Sequence, residues 1–330
     1  MNHWSNHWLL SRTVSSFSEG EIGRTYARDV DNFWFQNLAF LGKNAIVVDV
    51  GSGNGAAALT ISEWAKKNGK KWQVHGVDLA KITPVKALAD KPEISKQLEA
   101  ITFHTETDML KLPFADNSVD CIVSQFGFEY ADSEAALAEA LRVLKPGGKI
   151  VAIAQHKKSQ LIKEAGQGAE IFQHILNTTP LFLQADLMLR LAAMQMEKMT
   201  FEEWQKNQAC LASRRTTEWI MQTLKEKFNK PEEHVWLNEI FGRVLELINY
   251  ATTTEKATQA AEYLMISFNM LQDHRLRLID HSEAALTAAN AKKWVKAAEK
   301  AKASAEVAEF NAGDQLFAWQ FIATKPNVAK

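Results

Sequence analysis

The chain has 330 residues, of which 46% are hydrophobic, so it is long enough to bury a large core. Its 38 basic and 39 acidic residues give a formal net charge of −1 at pH 7, which favours neither nucleic acid nor an anionic membrane as a partner. Two cysteines make no disulfide framework, and residues 1–20 have no basic start followed by an apolar stretch, so we expect a cytoplasmic protein with no membrane span.

The N-terminal residues 1–43 are rich in aromatic side chains. The near-repeat Asn2-His3-Trp4-Ser5-Asn6-His7-Trp8 spaces two histidines four residues apart, on one face of a helix. Two histidines with no third ligand nearby make a poor metal site, so no metal is expected. The segment is interpreted as an aromatic arm that packs on the domain behind it.

A glycine-rich turn follows the first predicted strand. Residues 46–50 are a β-branched run with the pattern of a buried strand, residues 51–55 carry three glycines at alternate positions, and residues 56–61 open a helix. This spacing is one residue shorter than the dinucleotide motif, and Asp49 precedes the first glycine by two positions. A carboxylate there disfavours a pyrophosphate and favours an ammonium group. The loop therefore predicts S-adenosylmethionine rather than NAD, with an NAD-dependent oxidoreductase as a distant alternative.

Acidic residues also follow the next two predicted strands. Residues 72–79 read as a strand containing Asp78 near its end, where a βαβ unit places a carboxylate against the ribose hydroxyls. Residues 101–105 read as a third strand that leads to Asp108 and Met109. The acid can accept a hydrogen bond from an adenine amino group while the methionine packs on the ring.

Two more strands are predicted before residue 154. Residues 121–124 form the fourth, and residues 149–153 form the fifth. Between them, residues 139–144 read as a helix that ends at Lys145-Pro146-Gly147-Gly148, because glycine ends a helix and proline prevents its continuation.

Four segments, in order and spacing, resemble the class I S-adenosylmethionine-dependent methyltransferases, particularly the ubiquinone and menaquinone C-methyltransferases and small-molecule methyltransferases. The segments are Val48–Gly55, Asp78, 108–120 and 141–148. The resemblance implies an α/β fold with a doubly wound, mostly parallel seven-stranded sheet of the Rossmann-like methyltransferase type. Residues 316–326 look like the antiparallel last strand of that fold.

The same resemblance implies which residues hold the cofactor. They are Asp49, Gly51 and Gly53 for the methionine end, with Tyr26 from the leader helices as a further candidate; Asp78 for the ribose; Leu79, Asp108 and Met109 for the adenine; and Gln125 and Phe126 for the sulfonium.

The chemical centre is expected just after the fourth strand, in the segment that faces the methyl group in this family. Methyl transfer is an in-line displacement, so a base is needed only where the acceptor carries a proton. Glu129, Tyr130 and His156 are the candidate catalytic residues, and with Phe128 they are expected to line the substrate pocket. Each has a structural alternative: Glu129 as a helix cap, Tyr130 as pocket wall, and His156 as an exposed side chain.

Three regions are predicted along the chain. Residues 1–43 are leader helices that close over the cofactor, and residues 44–156 with 282–330 form the methyltransferase core. Glycine and proline nearly disappear from residue 169 to residue 312, so residues 157–281 are interpreted as a helical insertion that serves as substrate lid, as homodimer contact, or as both. The predicted helices are 159–177, 181–197, 200–228, 232–250, 255–281 and 283–303.

The expected activity is methyl transfer to an O, N or C atom of a small, partly apolar or aromatic molecule, with S-adenosylhomocysteine as product. No Asn-Pro-Pro-Tyr loop, Pro-Cys nucleophile or pair of glutamates follows the fourth strand, so the motifs that methylate nucleic-acid amines, cytosine and arginine are missing. The alternative is a catalytically silent module that binds the cofactor and engages a protein partner through its insertion.

Overall fold

The computed structural model describes residues 2–15 and 21–327, without the side chains of residues 21–27. It divides into two compact units. The first comprises Met1–Lys163 and His281–Lys330, and the second comprises Glu164–Asp280.

The first unit contains a seven-stranded sheet in the order β3-β2-β1-β4-β5-β7-β6. Neighbouring strands are parallel except at β7, which runs antiparallel to both β5 and β6. The predicted mostly parallel, doubly wound sheet is therefore confirmed. The strands are β1 Ile46–Val50, β2 Gln73–Val77, β3 Thr102–His104, β4 Val119–Gln125, β5 Leu144–Gln155, β6 Ser304–Ala312 and β7 Gln315–Thr324.

The helices lie before, between and after these strands. They are α1 Asn2–Leu10, α2 Glu21–Leu38, α3 Ala56–Lys67, α4 Pro84–Ala87, α5 Pro92–Leu98, α6 Ser133–Val143, α7 Gln160–Asn177, α8 Leu181–Gln195, α9 Phe201–Lys206, α10 Gln208–Lys227, α11 Pro231–Tyr250, α12 Thr254–Ala284 and α13 Ala288–Lys300, with a 3₁₀ turn at Phe128–Tyr130. None of the helices in the described ranges has both the length and the apolar character that a bilayer span requires.

Both faces of the sheet are buried, as the near-continuous apolar strands require. Val47 of β1 packs in the same core as Trp34 of α2. Its neighbour Val48 points to the opposite face and packs in the core that contains Leu137 of α6 and Trp294 of α13. Because the parallel strands share one direction, their carboxyl ends meet at one edge, where ligands bind in this class of fold.

Several predicted boundaries differ from the structure, for example the helix predicted at 283–303, which is Ala288–Lys300, and two of the differences have a clear local cause. Helix α6 already ends at Val143, and β5 begins at Leu144, whose backbone is extended at φ −65° and ψ 138°. The helix predicted at 200–228 is two helices, because Asn207 is extended at φ −69° and ψ 141°. Its side chain accepts a hydrogen bond from the Ala209 amide and starts the second helix.

The second unit is helical throughout its regular structure and has a core of its own. Phe172, Leu237 and Val244 are among its fully buried side chains. The predicted start at Thr200 is present as a capping box, in which Thr200 and Glu203 satisfy each other's backbone amides. Methionine and aromatic side chains such as Met188 and Phe172 pack in this core, whereas Met194 and Trp219 are exposed.

Candidate active site

The glycine turn after β1 lies against the loop after β4. Gly51 and Gly53 have positive φ angles of 71° and 50°, a region that favours glycine. A Cβ atom on Gly51 would lie 2.7 Å from the Cα atom of Gly127, so no larger residue fits there. The Ser124 hydroxyl also donates to the Val50 carbonyl at 2.8 Å. The two loops that the sequence predicts for cofactor and for chemistry are therefore in direct contact.

Asp49 lies near the end of β1 and is 1% exposed. Its Oδ2 accepts a hydrogen bond from the Ala58 amide in the first turn of α3 at 3.2 Å. Among the described residues, none makes a hydrogen bond to Oδ1. Burial raises the pKa of Asp49 to about 8, and the nearby charge of Asp78 acts in the same direction. A cationic group placed at Oδ1 would offset this cost of burial.

Asp78 follows β2 and joins two loops. Its Oδ2 accepts from the Gly53 amide at 2.7 Å, and its Oδ1 accepts from the Ala80 amide at 2.8 Å. Burial raises the pKa of Asp78, while these two hydrogen bonds oppose the shift. Each carboxylate oxygen has a second lone pair, so the group retains acceptor capacity for a hydroxyl. Leu79, the next residue, is 41% exposed.

The segment after β3 is attached to this same edge of the sheet. The Thr107 amide donates to the Asp78 carbonyl at 2.9 Å, which places Asp108 and Met109 shortly beyond it along the chain. Asp108 is exposed, and its Oδ1 accepts from the Leu110 amide at 2.9 Å. Met109 is half-buried and packs against the core that contains Val48 and Leu137. The structure thus brings the predicted ribose and adenine residues to neighbouring loops.

Gln125 is the last residue of β4, and Phe126 follows it. The Gln125 Oε1 atom accepts from the indole nitrogen of Trp34 at 3.3 Å. Phe126 has a φ of 57°, an unfavourable value for a bulky residue, and its ring packs edge-on against Phe317 at 5.5 Å. The side chain of Tyr26 falls outside the described part of the chain.

The residues of the 3₁₀ turn after β4 differ in their burial and in their contacts. The Phe128 ring is 1% exposed and packs edge-on against Trp294 in the core, rather than at an open surface. Glu129 is 8% exposed, and its Oε1 accepts from the Gln155 amide at 2.7 Å. Burial raises the pKa of Glu129 to about 7. The helix cap that was its structural alternative is made by Asp132, which accepts from the Ala135 amide.

Tyr130 contacts a histidine that is distant in the sequence. Its hydroxyl oxygen lies 2.9 Å from Nδ1 of His281, which is 6% exposed near the end of α12. The amide nitrogen of Gln155 lies 2.5 Å from the same Nδ1 atom and 3.3 Å from the Tyr130 hydroxyl. Gln155 and His281 were not predicted as site residues. No local pattern marks them, because 151 residues separate Tyr130 from His281.

His156 lies in a different environment from Tyr130 and Glu129. Its ring is 3% exposed and stacks on Trp319 at 4.4 Å. Nδ1 accepts from the Lys158 amide at 3.0 Å, and Nε2 lies 3.5 Å from a Glu309 carboxylate oxygen. Burial lowers the pKa of His156, and Glu309 opposes that shift. The contacts described for this ring are with Trp319, Lys158 and Glu309, whereas Glu129 bonds the amide of the preceding residue, Gln155.

Helix α1 crosses the edge where these loops meet. A Cβ atom on Gly53 would overlap the Trp8 ring, so the indole covers the glycine turn directly. The side-chain nitrogen of Asn54 donates to the Trp8 carbonyl at 3.0 Å and to the Thr13 carbonyl at 3.1 Å. Nearer the start of the helix, the Trp4 ring lies edge-on to the Tyr130 ring, with 5.8 Å between the ring centroids. The expected packing of the aromatic arm on the domain is therefore seen, and the arm lies over the glycine turn.

Residues 48–152 match a family described as a methyltransferase domain. The match is confined to this segment, which is similar to methyltransferase domains. Among curated proteins, the chain is similar to the demethylmenaquinone methyltransferase of Thermus thermophilus, with 38% identity over 108 residues that cover 32% of this chain and 46% of the relative. It is also similar to a ubiquinone/menaquinone biosynthesis C-methyltransferase of Rickettsia bellii, with 33% identity over 123 residues, 37% of this chain and 49% of the relative.

The chain thus spans about half the length of the curated relatives it matches. Among solved structures, one match is the geranyl diphosphate C-methyltransferase of Streptomyces coelicolor, at 20% identity and a TM-score of 0.34 over 46% of this chain and 62% of that one. Another is an S-adenosylmethionine-dependent methyltransferase of Mesorhizobium loti, at 27% identity and a TM-score of 0.29 over 38% of this chain and 54% of that one.

Proposed function

We propose that this protein transfers a methyl group from S-adenosylmethionine to a small, partly apolar molecule. The observation that carries the proposal is the cradle in which Asp49, Gly51, Gly53 and Asp78 meet on adjacent loops inside a methyltransferase domain. When bound, the cofactor supplies a methyl group on a positively charged sulfur. The contribution of the chain is to hold the donor and the acceptor in line and to exclude water.

The residues fit the amino-acid end of this cofactor. Oδ1 of Asp49 is buried, and within the described ranges it is not hydrogen-bonded, so an ammonium group there would satisfy both its acceptor capacity and its buried charge. Gly51 is half-buried and has no side chain, so a carboxylate can approach the main chain there. Gly53 is buried under the Trp8 ring, and its amide donates to Asp78. The remaining proposed contacts are Tyr26 at the methionine end, Asp78 for the ribose, Leu79, Asp108 and Met109 for the adenine, and Gln125 and Phe126 for the sulfonium.

The arm and the second unit have proposed roles of their own. Residues 1–43, with Trp4 and Trp8 at their start, close over the cofactor and keep water from the reacting atoms. Residues 157–281 form the insertion, which acts as substrate lid, as homodimer contact, or as both. The core comprises residues 44–156 and 282–330, and the protein acts in the cytoplasm without a nucleic-acid or membrane partner.

The acceptor is an aromatic or otherwise apolar molecule that is methylated on oxygen, nitrogen or carbon. The names of the relatives, which refer to demethylmenaquinone and to C-methylation, support an aromatic acceptor. Glu129 and Tyr130 are the proposed base candidates beside it. His156 is the weakest of the three because its ring is stacked against Trp319 and is only 3% exposed.

Calorimetry with S-adenosylhomocysteine tests the cofactor assignment. Asp78→Ala should weaken binding at least about tenfold, since one or two charge-assisted hydrogen bonds are lost. Asp314→Asn, in the exposed β6–β7 turn, is the matched control and should bind as the wild type does. A wild-type protein that fails to bind S-adenosylhomocysteine would contradict the proposal.

Transfer is then tested with S-adenosylmethionine that carries a labelled methyl group and a cellular metabolite extract. Label should pass to a small organic-soluble molecule, and the product S-adenosylhomocysteine should accumulate only in the presence of the extract. Cofactor binding without either signal would favour the silent module that engages a protein partner.

A further inference from the structure

The group around Tyr130 combines one accessible side chain with three buried ones. Tyr130 is 38% exposed, whereas Glu129, Gln155 and His281 are 8%, 2% and 6% exposed. An acceptor molecule can therefore reach the tyrosine, but it cannot reach the histidine without displacing its neighbours.

This group lies at the carboxyl ends of two adjacent parallel strands. Tyr130 follows β4 by five residues, and Gln155 is the last residue of β5, which pairs with β4. Gly127, three residues before Tyr130, packs against Gly51 of the cofactor turn. The tyrosine is thus joined by a short, tightly packed segment to the loop that is proposed to hold the methyl donor.

Two groups lie within hydrogen-bond distance of Nδ1 of His281. The Tyr130 hydroxyl is 2.9 Å from this atom, and the Gln155 side-chain nitrogen is 2.5 Å from it and 3.3 Å from the hydroxyl. An unprotonated Nδ1 has one lone pair, so it accepts the Tyr130 proton only where Gln155 donates to the tyrosine oxygen instead. In that arrangement the ring of His281 is neutral with its proton on Nε2, and the Tyr130 oxygen receives hydrogen bonds while its own proton points at the histidine.

The other two base candidates are less suited to receive a proton from an acceptor. Oε1 of Glu129 is bonded to the Gln155 amide, and its Oε2 is buried. His156 faces Trp319 and Glu309 instead of the cofactor turn. Among the described residues, charged groups close to the pair along the chain include Glu129, which precedes Tyr130, and Lys157, whose ammonium bonds the carbonyl of Ser282 beside His281.

We infer that Tyr130 and His281 form a proton relay, in which Tyr130 is the catalytic base and His281 is a positioning residue that accepts the tyrosine proton. This rests on the proposed function. Tyr130 Oη takes the proton of the acceptor as its own proton passes to His281 Nδ1. The electron pair left on the acceptor forms the bond to the methyl carbon, and the pair of the broken carbon–sulfur bond stays on sulfur. The imidazolium of His281 later releases its proton to water.

The substrate class follows from this relay. A tertiary amine has no proton to lose, and a carboxylate is already ionised, so neither needs a base. A relay through a tyrosine is useful for a phenol, an enol or an alcohol, including a phenol methylated at a ring carbon. The edge-on ring of Trp4, 5.8 Å from Tyr130 and 5.4 Å from His281, provides an apolar wall for an aromatic acceptor of this kind.

Nitrogen-15 NMR of the histidine-labelled full chain tests the relay without any acceptor. The chain has nine histidines, and His281→Asn identifies the resonances of residue 281. We expect a neutral ring near pH 8 with Nδ1 unprotonated, and a shift of the Nδ1 resonance in Tyr130→Phe. Tyr263→Phe, an exposed tyrosine of the second unit, is the matched control and should leave the resonance in place. A proton on Nδ1, or no response to Tyr130→Phe, would overturn the inference.

Methyl transfer to a panel of phenols and naphthols tests the chemical role. Asn at position 281 keeps an acceptor atom near the Nδ1 position but is not basic, so it separates positioning from proton transfer. We expect His281→Asn and Tyr130→Phe each to lower kcat by about a hundredfold with little change in KM. Full kcat in His281→Asn would overturn the relay.

Binding of S-adenosylhomocysteine separates the relay from the proposed function. Both variants should bind it within about twofold of wild type, because neither residue belongs to the cofactor cradle. A wild-type protein that does not bind S-adenosylhomocysteine would contradict the proposed function. The NMR result would still test the relay, because it depends only on Tyr130 and His281.

Discussion

The indole of Trp8 lies directly on the Cα atom of Gly53, so closely that a Cβ atom there would overlap the ring. The N-terminal helix and the proposed cofactor turn are therefore sterically dependent on each other. A residue with no side chain permits a close approach on the face of the loop that is proposed to receive the ligand. Stability and ligand binding should both respond to changes at this contact.

Gly53→Ala should destabilise the protein through two effects that a control can separate. Gly69 has a φ of 65°, and no atom of the described residues lies within 4 Å of where its Cβ would be, so Gly69→Ala reports the backbone cost alone, about 1–2 kcal/mol. Gly53→Ala adds the clash with Trp8, roughly 1–3 kcal/mol more in the free energy of unfolding. In a Trp8→Ala background, Gly53→Ala should cost no more than Gly69→Ala. Equal costs for the two glycines in the wild-type background, measured by urea unfolding, would contradict this prediction.

Binding of S-adenosylhomocysteine should release a proton from Asp49. Burial raises the pKa of this carboxyl to about 8, so below that pH it is largely protonated before the ligand arrives. Pairing with an ammonium group requires the charged form, and the affinity should therefore rise with pH up to about 8. Calorimetry in buffers with different ionisation enthalpies counts the released protons. Asp49→Asn should lose this component and bind at least about tenfold more weakly. If Asp49→Asn releases as many protons on binding as the wild type does, Asp49 is not the group that pairs with the ammonium.

Glu129 should make the stability of the protein depend on pH in a defined window. Its pKa is raised from 4.5 to about 7, mainly by burial, so the folded state holds a proton that the unfolded state has lost. The stabilisation is fully present below pH 4.5, decreases as the pH rises towards 7, and is lost above that value, with a slope of at most about 1.4 kcal/mol per pH unit. Glu129→Gln, which does not ionise, should remove this dependence. The free energy of unfolding is measured by chemical unfolding at each pH. The same pH dependence in the wild type and in Glu129→Gln would count against this role of Glu129.

Asn54 should control how often the N-terminal arm detaches. Its side-chain nitrogen donates to the carbonyls of Trp8 and Thr13 and is fully buried. Asn54→Ala removes both hydrogen bonds, at a cost of about 1–3 kcal/mol for the buried carbonyls. Trypsin should then cleave after Arg12 several times faster, since cleavage follows the population of the open form.

Asn68→Ala is the control for this experiment. Asn68 is exposed and donates to the Trp64 carbonyl within the same helix, so its loss should not change cleavage at Arg12. Equal cleavage rates in the two variants would show that Asn54 does not hold the arm.

Local sequence patterns predicted the parts of this protein that depend on neighbouring residues. The β-branched run at 46–50 and the glycines at 51–55 gave the first strand and its turn, because strand and turn preferences are set by adjacent side chains. The same reasoning missed the break at Asn207, where a side-chain cap competes with helix continuation. It also placed the end of a helix where β5 already begins, since pairing with β4 outweighs the turn preference of Pro146 and Gly147.

The sequence by itself determined the class of fold and the place of the proposed cofactor cradle, because one strand, one turn and two following acids carry that information in one stretch of chain. Only the tertiary structure decided which side chains surround Tyr130 and the other residues after β4. It placed Phe128 in the core, stacked His156 on Trp319, and brought His281 to Tyr130 across 151 residues. Contacts of that separation depend on how helices return to the sheet edge, and packing of the whole unit, rather than any local preference, sets that path.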